Sequence, residues 1–218
     1  HRRGRARGGL RRGLPRVWRG DAENDRFNRL VLRAGLSWRQ VAVLRGYTKY
    51  LLQTGVPFTQ ASAEDTLGRY PLLAALLVRL FEVRFDPTLD GKAKARDSKR
   101  AQDAAQALLA LADTADEDTH KALHALAQAA TQSRDAQTEA VHAAMLKLLD
   151  GVSSLDDDRI LRSLMGTIEA TLRTSYYQVD KDGAPAHTIS FKFDSAKVPD
   201  LPKPRPYRET FVCGPRAE

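Results

Sequence analysis

The 218-residue chain has a single cysteine, Cys213, so it cannot hold an internal disulfide framework and suits a reducing compartment. It has no long apolar run. The longest, Pro71 to Val78, is interrupted by Arg79 and falls well short of the ~18–20 residues that span a bilayer. No phosphate-cradling loop of the GxxxxGK[ST] kind occurs, and the one glycine-dense stretch, Gly4 to Gly13, follows no strand and opens no helix. Aromatic residues vanish between positions 86 and 175. Residues 1–20 contain eight arginines and no acid. Removing those eight from the 35 Lys+Arg leaves 27, matching the 27 Asp+Glu, so the net charge of +8 lies wholly in the first 20 residues and the body is neutral. A basic nucleic-acid-binding domain is thereby excluded as the main reading. Binding through the arginine tail alone would have to weaken steeply with salt.

What remains is a soluble globular composition, 42% hydrophobic and 28% charged. Residues 1–17 lack hydrophobic periodicity and read as a disordered Arg/Gly-rich arm, an RNA-binding segment, or a stretch foreign to the natural protein, such as a frame or start-site artefact. With no apolar stretch and cleavage site behind the arginines, a signal peptide is not expected and the location reads as cytoplasmic.

Helix signals then follow. Ser37 with Gln40 forms a capping box, Val41, Leu44, Tyr47 and Leu51 recur at helical spacing, and Gly55 with Pro57 ends the helix. Pro71 suits a first helical turn, and Leu72, Leu73, Leu76, Leu77, Leu80 and Phe81 make an apolar stripe broad enough for a largely buried helix ending before Asp86-Pro87. Eighteen of the 52 residues from Ala93 to Ala144 are alanine. Alanine favours helix but offers little apolar area, so the insertion at about 92–149 is expected to be a weakly packed helical pair, broken at Asp113 to Asp118, before a further helix at about 134–149. Leu155 to Asp158 opens another helix, with Ile160, Leu161, Leu164, Ile168 and Leu172 as its buried face. After Tyr177 the period changes. Asp182-Gly183 is a turn, His187 to Phe193 alternates with Ile189, Phe191 and Phe193 on one face, the four prolines between Val198 and Pro206 enforce an extended run, and Tyr207 to Cys213 begins a second strand. Two strands make a marginal sheet, so the sequence looks cut off where an α/β domain begins.

Candidate sites are few. His120 and His124 have the four-residue spacing of two metal ligands, with Asp116 and Glu117 nearby, but no third ligand pattern accompanies them and a solvated helix face is the simpler reading. Asp156, Asp157 and Asp158 could attract a cation, yet the positive end of a helix dipole accounts for them. Cys213 reads as a buried thiol. Trp18, Phe27, Trp38, Tyr47, Tyr50, Phe58, Phe81 and Phe85 read as core. The residues themselves disclose no catalytic constellation.

Four blocks add a further clue: AENDRFNRLVLRAGLSWRQVAVLRGYTKYLLQTGVPFTQ (22–60), LVRLFEVRFDP (77–87), VSSLDDDRILRSLMGTIEATLRTSYYQ (152–178) and ISFKFDSAKVPDLPKPRPYRETFV (189–212). In content, order and spacing they resemble the large NAD-specific glutamate dehydrogenases of bacteria, over roughly residues 18–218. Departures from that pattern, at Ser175, Thr210, Cys213, Gly214 and Ala217, are densest near the C-terminal end. The resemblance implies a mainly α-helical segment with a short β-containing C-terminal part that begins an α/β catalytic domain: a tail at 1–17, a helical domain at 18–178, and the truncated start of the catalytic domain at 179–218. It implies a parent that oxidises L-glutamate to 2-oxoglutarate and ammonia with NAD, expected to be a homo-oligomer. This segment would bind the rest of that chain; no membrane partner is expected, and the neutral body argues against nucleic acid. The family's substrate motif, catalytic lysine and Rossmann fold lie further on. No catalytic, cofactor-binding or metal residue is therefore carried onto this chain (Arg216, the basic residue nearest the substrate domain, included), and it is expected to bind no NAD and to be inactive alone. The alternative is a helical interaction or regulatory module without catalytic activity.

Overall fold

A computed structural model describes residues 25–89, 95–112 and 115–214. The arginine tail, Trp18 and Arg216 lie outside the described residues. A 3-10 turn, Arg26–Arg29, leads into α1 (Leu30–Arg33), followed by α2 (Trp38–Gln53), α3 (Gln60–Arg69), α4 (Pro71–Phe85), α5 (Ala95–Leu111), α6 (Glu117–Ala129), α7 (Arg134–Leu149) and α8 (Leu155–Ala170). Three strands, β1 (Thr171–Thr174), β2 (Ile189–Phe193) and β3 (Glu209–Cys213), form an antiparallel sheet in the order β1-β2-β3.

The local signals explain most boundaries. The Gln40 N–H donates to Ser37 Oγ at 3.3 Å, and the Ser37 N–H donates to Gln40 Oε1 at 2.8 Å, so the capping box satisfies two otherwise orphaned donors at the start of α2. Gly55, at φ 81°, takes the left-handed conformation that turns the chain away two residues after α2. Pro71 occupies the first turn of α4, whose Leu73, Leu76, Leu77, Leu80 and Phe81 are all buried, while Leu72 of the expected stripe is only half-buried. β2 buries Ile189, Phe191 and Phe193 and turns Ser190 and Lys192 outward.

Two expectations need correction. The helix from Leu155 stops at Ala170, and Leu172 is 43% exposed in β1 rather than part of a buried helical face. Thr171 breaks the helix: it adopts extended dihedrals (φ −71°, ψ 129°), and its strand pairs with β2, supplying a third strand where only two were anticipated. The alanine-rich region is also not weakly packed. Leu123, Leu126, Val141, Ala144, Met145 and Leu149 are fully or almost fully buried and belong to the same core as α2, α4 and α8.

Arginines tie α7 and α8 to α4. The Arg134 guanidinium donates to the carbonyls of Val83 (2.7 Å) and Asp86 (2.6 Å), capping the C-terminal end of α4. From α4, Arg84 donates to the carbonyls of Glu169 (2.8 Å) and Thr171 (3.3 Å), where α8 gives way to β1.

Candidate functional site

The most ordered chemistry lies where the sheet meets the helices. The inner faces of β2 and β3 rest on α2, and the approach is close because residue 46 is glycine: a Cβ there would stand 2.8 Å from Phe191 Cε2 and 3.0 Å from Cys213 Sγ. Around that contact Tyr47 packs on Phe191 (ring centroids 4.5 Å apart), Tyr50 stacks on Phe193 (4.1 Å), and Phe81 reaches in edge-on from α4.

The polar ends of these rings are satisfied. The Tyr47 hydroxyl bonds Thr171 Oγ1 at 2.9 Å, and Thr171 in turn donates to the Thr167 carbonyl. The Tyr50 hydroxyl donates to Glu209 Oε2 at 2.6 Å, joining α2 to β3. Burial pushes the ionisation of both tyrosines upward, Tyr50 further through the neighbouring Glu209 carboxylate. Both remain neutral hydrogen-bonding groups at physiological pH, not bases.

A second polar chain crosses the helical layer. Gln40 Nε2 donates to Glu82 Oε1 at 2.8 Å, Arg79 lies 3.8 Å from Glu82 and donates to Gln137 Oε1 at 2.8 Å, and Gln137 Nε2 donates to the Gln132 carbonyl at 3.0 Å. Arg79 is the arginine that interrupts the apolar stripe, and it is buried, its pKa lowered by that burial. A cleft of about 90 Å³ opens beside this chain between α4 and α5, walled by Ala75, Val78, Ala104 and Leu108. Its polar groups, Gln40, Arg79 and Glu82, belong to this chain of contacts, which joins α2, α4 and α7.

The residues singled out from the sequence are scattered. His124 is exposed and His120 half-buried on α6. Among the described residues no three or more His, Cys, Asp or Glu side chains gather as a metal site requires. Of the three aspartates, Asp156 is exposed, Asp158 pairs with Arg162 at 2.8 Å within α8, and Asp157 is buried, accepting from Thr66 Oγ1 at 2.6 Å and pairing with Arg69. Helix-dipole compensation was therefore an incomplete account: Asp157 also ties α8 to α3. Cys213 is half-buried rather than buried, its thiol donating to the Ile189 carbonyl at 3.5 Å. Phe27, Tyr47, Tyr50 and Phe81 are core, Phe58 and Phe85 are half-buried at its margin, and Trp38 is half-buried. Sequence reasoning missed the roles of Tyr50, Glu209, Arg84 and Arg134. For Arg84 the available signal was charge on an apolar stripe; Arg134 stands in a polar run, Thr131 to Asp135, that gave none.

Comparison with known proteins gives this arrangement a context. Residues 22–87 match the family model described as glutamate dehydrogenase, helical motif 3, and residues 144–218 match the bacterial NAD-glutamate dehydrogenase catalytic domain. The first match contains α1 to α4. The second begins within α7 and takes in α8 and the sheet, so the aromatic contact joins the two matched regions. Three proteins named NAD-specific glutamate dehydrogenase are similar along most of the chain. The one from Halomonas elongata is 36% identical over 212 residues (97% of the chain), that from Mycobacterium tuberculosis 36% over 203 residues (93%), and that from Pseudomonas aeruginosa 38% over 199 residues (91%). The chain spans about 10% of the length of each of these relatives.

Proposed function

We propose that this chain, which belongs to the bacterial NAD-specific glutamate dehydrogenase family as a segment about a tenth of the relatives' length, is the scaffold that seats the start of the catalytic domain on the preceding helical motif. The observation that carries the reading is the junction itself: Gly46, Tyr47 and Tyr50 from the helical-motif match lock onto Thr171, Phe191, Phe193 and Glu209 from the catalytic-domain match.

The parent reaction is then oxidation of L-glutamate to 2-oxoglutarate and ammonia, with NAD as hydride acceptor. The described residues do not fit NAD. Their strands are antiparallel, and neither β1 nor β2 is followed by a glycine-rich turn opening a helix, the arrangement that cradles a dinucleotide pyrophosphate. Hydride transfer and substrate deprotonation are accordingly assigned to parts of the enzyme outside this chain, and the segment's partner is the rest of that polypeptide, in a homo-oligomer. A cytoplasmic location goes with this reading, and no described helix is long and apolar enough to cross a membrane. The test is glutamate-dependent reduction of NAD by the full-length protein that carries this segment. NADH formation supports the reading, and a folded full-length protein that leaves NAD unreduced overturns it.

A further inference from the structure

The two faces of the sheet differ. The inner face is closed by Phe191 and Phe193 against α2. On the outer face Arg173 of β1 stands directly opposite Lys192 of β2, Lys192 opposite Thr210 of β3, and Ser190 opposite Val212. Arg173, Lys192 and Thr210 are exposed, Val212 is 59% exposed, and Leu172, in the irregularity beside Arg173, is 43% exposed.

An antiparallel sheet can face water on one side, so exposure alone decides nothing. The charge pattern does. Like charges directly opposite on one face of an antiparallel pair destabilise it, and among the described residues neither Arg173 nor Lys192 has an acidic partner. The acids at the sheet are committed elsewhere: Glu209 to the Tyr50 hydroxyl, and Asp194 to Arg208 at 3.0 Å and Lys197 at 4.0 Å. A paired cation site flanked by two exposed aliphatic side chains matches a carboxylate with apolar neighbours. A carboxylate there would turn the repulsion into two attractions, strengthened as the cover excludes water.

We propose that the outer face of the sheet is a docking face whose occupant is an acidic, apolar-flanked element of the same full-length enzyme, outside these 218 residues. Its carboxylate sits between Arg173 and Lys192, and its apolar side chains cover Leu172 and Val212. The charge pattern selects the chemistry. The source follows from the proposed scaffold role and from relatives in which the matched stretch is about 10% of the length, leaving most of the polypeptide available to cover this face.

The experiment measures Lys192 acetylation in the full-length enzyme and in the 218-residue chain, together with zero-length carbodiimide coupling of the full-length enzyme read by peptide mass spectrometry. The expected result is several-fold slower acetylation of Lys192 in the full-length enzyme, and an amide from Lys192 Nζ to an Asp or Glu outside the 218 residues that is absent from Lys192→Arg. The protection should also be lost in Arg173→Glu. Equal reactivity in the two proteins overturns the proposal. So does an amide to a second copy of this segment, and so does protection with no amide, which would mean a cover lacking the required carboxylate. Because glutamate-dependent NAD reduction is measured separately, a protein that shows the amide without the activity refutes the dehydrogenase reading and leaves the docking face intact.

Discussion

Gly46→Ala tests the junction through its tightest contact. In the middle of a helix alanine is better than glycine by ~1 kcal/mol, so the substitution should stabilise α2 considered alone. In this fold the new methyl would lie 2.8 Å from Phe191 Cε2 and 3.0 Å from Cys213 Sγ. Ordinary carbon–carbon contact needs ~3.5–4.0 Å, so the ring must retreat by roughly 1 Å. It has little room: Phe191 is fully buried, with the rings of Tyr47, Phe81 and Phe193 at 4.5, 6.2 and 6.3 Å. Overpacking of this kind costs ~1–3 kcal/mol, which offsets the propensity gain and leaves a net loss of up to ~2 kcal/mol. Urea unfolding followed by far-UV circular dichroism measures it. The variant should unfold at lower urea with an unchanged slope, and in a Phe191→Leu background, where the ring is gone, the same change should become neutral or stabilising. Stabilisation by ~1 kcal/mol in the native background would refute the close packing of α2 on the sheet.

Other perturbations probe separate contacts. Thr171→Val keeps the shape but strands the buried Tyr47 hydroxyl, costing ~1–3 kcal/mol in chemical unfolding, and Tyr47→Phe in that background should recover part of the loss. Ser154→Ala removes the oxygen that accepts the Asp157 N–H at the start of α8 and should cost ~0.5–2 kcal/mol by the same assay. Burial first, and Glu82 second, push the Tyr176 hydroxyl from 10.0 up to about 12. Its contribution to stability is thus complete below pH 10 and lost as pH rises toward 12, so spectrophotometric titration should show it ionising late, with unfolding. Asp116 is held below the usual aspartate range by the Thr119 N–H at the start of α6. Its stabilising effect is present above the unfolded value and fades as pH falls through the lowered one, and NMR titration of its carboxyl should show that depressed midpoint.

Local chemistry was legible in the sequence. The Ser37–Gln40 box, Pro71, and the alternation of Ile189, Phe191 and Phe193 each carry a short-range cause, and each produces the expected feature. Leu172 failed because it continues the helical spacing of Leu164 and Ile168, while the pairing that draws Thr171–Thr174 into a strand comes from β2. Packing of the alanine-rich helices failed for a related reason: small side chains reveal how near a neighbour can come, not which neighbour arrives. The arginine clamps are longer-range still, Arg134 reaching carbonyls 48 and 51 residues away. Function was not legible from physical pattern at all. The resemblance of whole blocks carried the family assignment.

The central claim is that these 218 residues seat the catalytic domain without performing its chemistry. Glutamate-dependent NADH formation by the purified chain, measured alongside the full-length enzyme at equal molar concentration, tests it most directly. The account predicts turnover by the full-length enzyme and none by the chain; NADH produced by the chain alone would contradict it.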